Sequence, residues 1–258
     1  MPGPLRVIRE LKLTGLAGIG EIEAGTDLAR VLLTALADAG IGLENDDVIV
    51  IAQKIVSKAE GRLVQLSAVE PSPRALELAR TVQKDPRLVE LMLRESHEVL
   101  RARPGVVIVE HRLGFVMANA GIDQSNVTSG ADSALLLPED PDESARRLRA
   151  ALTRAAGVEV GVVINDSFGR AWRQGVAGVA IGVAGVAALV DLRGRADRAG
   201  RPLHVTQLAA ADELAAAASL VMGQADEGCP AVLARGFPYQ GAGSSRDLVR
   251  PRAEDLFR

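Results

Sequence analysis

The chain reads as an α+β protein, with mixed β-sheets and helices packed on them. Three observations carry that reading. Stretches with apolar residues at three- and four-residue spacing are interspersed with short, wholly apolar runs of strand length. The two kinds do not keep the regular strand–helix–strand rhythm of a doubly wound parallel sheet. The chain has 258 residues, 48% of them hydrophobic, enough for one large domain with a substantial core.

From the N-terminus, Leu5 to Lys12 suits a first strand and Gly15 to Gly25 a glycine-rich loop. Thr26 is the expected N-cap of a helix through Ala39, with Leu28, Val31, Leu32, Ala35 and Leu36 on one face and Gly40 as its stop. Val48 to Ala52 comes after an Asn-Asp-Asp turn and is apolar throughout, as a buried strand is. Ser72-Pro73 opens a helix to about Lys84, and Asp85-Pro86 opens the next, to about Glu95. Glu98 to Met117 reads as strands punctuated by Arg103-Pro104-Gly105, with Val106 to Val109 the most strand-like piece.

Asp140-Pro141 starts a helix carrying Ala145, Leu148, Leu152 and Ala155 on one face, and Gly157 stops it. Val158 to Ile164 reads as a buried strand that delivers Asn165-Asp166 at its C-terminal end, where α/β sheets commonly bind ligands. Gly175 to Val190 is sixteen apolar or small residues, short of the roughly 20 a membrane helix needs, and its glycines weaken a helix. Buried sheet with close backbone packing is the expectation there. Leu203 to Gln207 reads as a strand, Ala209 to Val221 as a helix and Pro230 to Ala234 as a last strand, with a mobile tail from Gly241. No fixed-period repeat or long linker divides the chain. It is expected to be a single domain over 1–258, or two intertwined subdomains without a clean boundary.

Composition narrows the function. Net charge is −3 and aromatics are 2%, so neither a basic field nor stacking platforms suit nucleic acid. One cysteine, Cys229, and three histidines leave no disulfide within the chain and no thiolate zinc site. Any metal should be a hard one held by oxygen. The N-terminal MPGPLRVIRELKL has no apolar run of signal-peptide length, so a cytoplasmic protein without a membrane span is expected. No G-x-x-x-x-G-K-[ST] occurs, so a nucleotide must bind by another route than a P-loop.

Two segments concentrate oxygen ligands. GIDQSN sets Asp123 beside Ser125 and Asn126, and NDSFGRAWRQG sets Asp166 beside Ser167, each expected on a glycine-flanked turn. Magnesium is typically held by one or two carboxylates plus substrate phosphates. Arg170 and Arg173 come next, and guanidinium groups suit phosphate and carboxylate. Singly, each has a plainer reading, as an ordinary Asx turn or a solvated arginine; together they read as a metal–phosphate site for phosphoryl transfer. Lys54 and Lys58, four apart in QKIVSKAEGR, share a face if that segment is helical, and by spacing alone a solvated face is the simpler reading. In MGQADEGCPAVLARG, Gln224 supplies an amide oxygen and Glu227 a carboxylate, while Cys229 reads as structural.

Four pieces, QKIVSKAEGR, EHRLGFVMANAGIDQSN, INDSFGRAWRQG and MGQADEGCPAVLARG, resemble in this order the coenzyme F420:L-glutamate ligase family, with similarity from about Leu11 to Phe257. The resemblance implies that family's fold, a homodimer, and a GTP-dependent ligase. Such a ligase joins L-glutamate to the lactyl carboxylate of the deazaflavin precursor F420-0, then adds further glutamates through γ-linkages by way of an acyl phosphate. It implies two divalent ions, Mg²⁺ or Mn²⁺, and K⁺ besides. Asp123, Asp166, Ser167 and Gln224 match the metal ligands. Ile19, Gly20, Glu21, Ile22, Gln53, Lys58, Asn126 and the run Met222, Gly223, Gln224, Ala225, Asp226, Glu227, Gly228, Cys229 match GTP-contact positions. Lys58 is similar to the family's phosphate-binding lysine, and Arg170 and Arg173 match family arginines near the site; the chemistry of all three suits a catalytic role at the reacting groups. The chain departs from the family where Gly20 stands for a common proline and Ser167 for a common threonine, the latter keeping the hydroxyl. With the sequence ending at Arg258, ligase activity alone is expected, without the reductase domain that some relatives append.

Overall fold

The computed structural model describes residues 10–124 and 132–256. Its strands are β1 (Lys12–Leu16), β2 (Val48–Ala52), β3 (Leu63–Gln65), β4 (Ser96–Arg103), β5 (Val106–His111), β6 (Val116–Ala118), β7 (Ser133–Leu135), β8 (Gly161–Gly169), β9 (Val176–Ala184), β10 (Val190–Asp191), β11 (Gln207–Leu208) and β12 (Ala231–Arg235). Its α-helices are α1 (Leu28–Asp38), α2 (Gln53–Ala59), α3 (Pro73–Val82), α4 (Pro86–Arg94), α5 (Pro141–Ala156) and α6 (Ala210–Met222). The α+β class is as the sequence predicts.

A five-stranded sheet, ordered β1-β12-β2-β8-β9, forms the centre. Only β2 and β8 run parallel in it, with Ile51 opposite Ile164 and Ala52 opposite Asn165. Successive residues of β2 and β8 alternate between its two faces. Ile49, Ile51, Val162 and Ile164 pack against α1 and α5, while Val48, Val50 and Val163 pack against α6. A fully buried side chain such as Leu32 or Ile164 stabilises by about 1.5–3 kcal/mol. A third cluster lies apart, where α3 and α4 cover Val107 and Val109 of the three-stranded sheet β4-β5-β6.

Glu95 joins the third cluster to the first. Its carboxylate accepts hydrogen bonds from Arg62 at 3.1 Å and Arg112 at 3.0 Å, with His111 Nε2 at 3.5 Å. Both arginines also donate to backbone carbonyls leading into α5, of Leu137 and Glu139. Burial alone would raise the Glu95 carboxyl. The nearby His111 imidazole and the charges of Arg112 and Arg62 outweigh it and hold that carboxyl at about 2. Burial also lowers the His111 imidazole, against the pull of Glu95.

β9 is where the sheet meets helices on both faces at backbone distance. A Cβ on Gly178 would meet the Ala215 carbonyl and Ser219 Oγ of α6; one on Gly182 would meet the Pro141 carbonyl of α5. A bulge in β9, opposite the Ile164–Asn165 step of β8, puts two successive β9 residues, Ile181 and Gly182, on the α5 side. On either side of it, a first-turn aspartate takes a β9 amide: Asp212 of α6 accepts from Ala180 N at 2.9 Å, and Asp142 of α5 from Val183 N at 2.8 Å. This is the close backbone packing expected for Gly175 to Val190.

Several expected boundaries shift. The first described strand is Lys12–Leu16, inside the stretch read partly as loop, and residues 1–9 lie outside the described residues. Asp27, not Thr26, caps α1, because its carboxylate takes Arg30 N while the Thr26 hydroxyl takes Glu23 N. Leu203–Gln207 is not a strand; only Gln207–Leu208 pairs, with β10. The tail from Gly241 is not loose: Ser245 is buried, and its amide and hydroxyl both donate to Asp142. Among the described residues no helix is long and apolar enough to cross a membrane.

Gly178→Ala should lower unfolding free energy by about 2 kcal/mol or more, because the added methyl meets backbone that cannot rotate away. Urea denaturation monitored by circular dichroism reads this. A change below about 0.5 kcal/mol would mean α6 can retreat.

Candidate functional site

The parallel pairing of β2 and β8 ends at Ala52 and Asn165, and the residues that follow on each chain build the site. β2 passes directly into α2, so Gln53 and Lys54 start a helix at the level of Asn165. β8 does not stop at Ile164 as expected. It runs on to Gly169 as a hairpin with β9, so Asp166 and Ser167 are strand residues opposite Val179 and Gly178 rather than turn residues. Strand alternation sends Asn165 toward α6, where its amide donates to Ser219 Oγ at 3.0 Å and Met222 Sδ at 3.5 Å. Asp166 is thereby turned the other way, toward α2 and Asp123.

Asp123 comes from a different layer. Asn119, Ala120 and Gly121 all have positive φ, a strained left-handed turn for the first two. The Asn119 side chain accepts Val107 N at 3.1 Å and anchors that turn to β5. Beyond it, Asp123 exchanges both backbone hydrogen bonds with Leu135 of β7, at 3.0 and 2.8 Å. The last wall is the loop after α6, where Gly223, at φ 76°, starts the run to Cys229.

These elements enclose a cleft of about 510 Å³ lined by Ile19, Glu21, Gln53, Lys54, Lys58, Asp123, Asp166, Ser167 and the loop Met222–Ala225 and Glu227–Cys229. Its two lysines are paired within it. Lys54 Nζ lies 2.5 Å from Asp123 Oδ2, and Lys58 Nζ donates to Glu21 Oε1 at 2.6 Å. Ser167 Oγ donates to Gln224 Oε1 at 2.8 Å, so two of the expected ligand residues touch. The Glu227 carboxylate accepts the Ala225 amide at 2.8 Å, and that bond holds it below the usual carboxylate range. Gln53 is buried, its amide oxygen taking the Ser57 hydroxyl at 2.8 Å.

Asp166 is the most perturbed group. Burial pushes its carboxyl up to about 7; the Ser167 amide bond and the Lys54 charge oppose this, and the Asp123 charge adds to it. Two carboxylates that repel each other, beside a hydroxyl and an amide oxygen, form a donor set suited to a hard divalent cation. Among the described residues, no three His, Cys, Asp or Glu gather at one point. A cation here would therefore complete its shell with neutral and substrate oxygens.

Not every expected site residue reaches the cleft. Ile22 is core, packed with α1. Gly20, Asp226, Arg170 and Arg173 do not line it, and both arginines sit on the exposed β8–β9 turn, where Arg170 donates to the Gln174 carbonyl. Asn126 lies outside the described residues. Cys229 is part-buried, donating to the Ala231 carbonyl, and burial pushes its thiol up, as suits a structural residue. Lys54 faces the cleft with a carboxylate partner, against the solvated-face reading. Its placement on a helix starting straight from a buried strand is the signal that distinguishes it.

Comparison with known proteins gives a consistent picture. The family described as F420-0:Gamma-glutamyl ligase matches residues 18–236. The chain is 49% identical over 251 residues to the coenzyme F420:L-glutamate ligase of Methanothermobacter thermautotrophicus, covering 96% of this chain and 99% of that protein. It is 47% identical to the coenzyme F420:L-glutamate ligase of Methanopyrus kandleri, covering 92% and 94%. With that of Methanocaldococcus jannaschii, identity is 45% over 84% and 86%.

The raised Asp166 carboxyl has a stability consequence of definite sign. The folded chain binds this proton more tightly than the unfolded one, whose carboxyl titrates near 3.8. Stability is therefore lost as pH rises from about 4 to about 7, and the penalty is complete above that. In metal-free protein, Asp166→Asn should gain about 1–3 kcal/mol at about pH 8 and nothing at about pH 4. Parallel pH profiles of denaturation midpoint for the two proteins would contradict this.

Proposed function

The chain belongs to the F420-0:gamma-glutamyl ligase family, a family of enzymes, and on that premise we propose that it ligates L-glutamate to the lactyl carboxylate of F420-0. Further glutamates are then added through γ-linkages. GTP is the phosphoryl donor. The acceptor carboxylate takes the γ-phosphoryl, giving an acyl phosphate and GDP; the glutamate amine attacks the acyl carbon, a proton is lost and phosphate leaves. The observation that carries the reading is the meeting of Asp123, Asp166, Lys54 and Lys58 in one cleft at the ends of β2 and β8.

In this reading Asp123 and Asp166, with Ser167 Oγ and Gln224 Oε1, hold the divalent cations, Mg²⁺ or Mn²⁺. When bound, such ions neutralise charge on the transferring phosphoryl and bring it against the acceptor oxygen. Lys58 exchanges Glu21 for a phosphate oxygen as a compact point charge. The loop from Met222 to Cys229 offers backbone amides to the nucleotide, and Asn126 is assigned a further contact. Phe168 packs edge-on to Phe115 at 6.1 Å and helps keep the wall beside Asp166 dry. Arg170 and Arg173 are assigned to the anionic acceptor arriving over the β8–β9 turn. The homodimer belongs to the same proposal, and light scattering on the eluted protein reads it.

Mass spectrometry of purified protein with F420-0, L-glutamate, GTP and Mn²⁺ is the test, with ATP in a parallel reaction. Products heavier by one or more glutamyl units, dependent on GTP and metal, are expected, and their masses give the chain length. GDP release without such products would move the acceptor to another carboxylate. Neither product nor GDP would end the reading.

A further inference from the structure

We infer that Lys54 is a built-in counter-ion of the two-carboxylate site: its ammonium stands at Asp123 while no divalent cation is bound, is displaced when one binds, and then turns to the anionic oxygens that arrive with the nucleotide. The inference rests on the assignment of Asp123 and Asp166 to a cation.

Three observations lead to it. Lys54 Nζ is 2.5 Å from Asp123 Oδ2, and both residues line the cleft. The pair is not sealed in the core, since the lysine and aspartate side chains are 35% and 22% exposed, so solvent reaches the contact. The Lys54 charge is also felt by Asp166, so one ammonium serves both carboxylates. Asp123 and Asp166 repel each other in a partly dry cleft, where charge interactions are several times stronger than in water. A lysine on the first turn of α2 answers that repulsion without a fixed ion.

The same geometry defines what must happen on loading. An ammonium 2.5 Å from a carboxylate oxygen and a divalent ion taking that same oxygen repel each other, so each weakens the other's hold on Asp123. Lys54 has a flexible four-carbon stem rooted beside the cleft, one helical turn before Lys58, which is paired to Glu21. Swinging off Asp123 leaves it among the groups lining the cavity, where a phosphate oxygen is the natural partner for a compact cation. Lys54 is thus a positioning residue that opposes metal alone and favours metal together with nucleotide. An ordinary structural salt bridge would support both or neither.

The two predicted effects have opposite signs, and that makes them testable. Mn²⁺ alone is titrated into the full-length parent, Lys54→Gln and Lys54→Arg at low salt, following free Mn²⁺ by electron paramagnetic resonance. GTP is then titrated at saturating Mn²⁺ by calorimetry. Lys54→Gln should bind Mn²⁺ more tightly by on the order of tenfold, and GTP more weakly by a similar factor. Lys54→Arg, which keeps the charge, should stay near the parent for Mn²⁺. Equal or weaker Mn²⁺ binding by Lys54→Gln, with the parent binding normally, would overturn the inference alone. No Mn²⁺ binding by the parent would instead remove the cation site itself, and the inference with it. Amine labelling of the unmutated protein gives an independent reading: Lys54 should become more reactive on adding Mn²⁺ and protected again on adding GTP. Labelling indifferent to Mn²⁺ would also overturn it.

Discussion

β9 lies nearer to the helices on its two faces than any side chain would allow, and the cleft depends on that closeness. With hydrogens at Gly178 and Gly182, α6 and the start of α5 touch the strand backbone directly. The approach of α6 brings Ser219 to Asn165, and that bond fixes which way β8 alternates at its outer end. The alternation turns Asp166 toward Asp123 and leaves Ser167 on the side where the loop after α6 delivers Gln224. A larger residue at Gly178 would push α6 outward and part Gln224, on the loop after that helix, from Ser167.

The site so formed holds opposite charges in waiting. Each lysine of α2 has a carboxylate partner, and Glu227 lends its own carboxylate to a loop amide. Asp166 is the member with least compensation, and its high proton affinity expresses that shortfall. Such self-pairing satisfies the charges of a polar cleft, and it leaves contacts that must open before another charged group can pair there.

Helix ends were legible because their chemistry is local. Ser72, Asp85 and Asp140 each accept from an amide two or three residues on, and Gly157 takes the left-handed conformation that stops α5. The run Val48–Ala52 needed only its apolarity. What was not legible depended on partners far along the chain. Asp166 looked like a turn residue because nothing nearby shows that Val176–Ala184 returns to pair with it. Ile22 lies beside cleft residues in sequence yet faces α1, a matter of chain direction that no motif encodes. The tail looked loose because its anchor, Asp142, is roughly a hundred residues away and buried. Lys54 and Lys58 carried the right spacing, but only the fold shows carboxylates across from them.

The aspartates that flank the bulge have one more effect. β9 is the last strand of the central sheet, and an open strand edge ordinarily offers a row of unsatisfied donors to any passing chain. Here the donors of Ala180 and Val183 are already taken by Asp212 and Asp142. A second chain trying to extend the sheet there would meet carboxylates already holding the amides it needs. The margin of the sheet nearest the cleft thus carries its own guard against fibrous self-association, made from the same two helix ends that bring the strand into place.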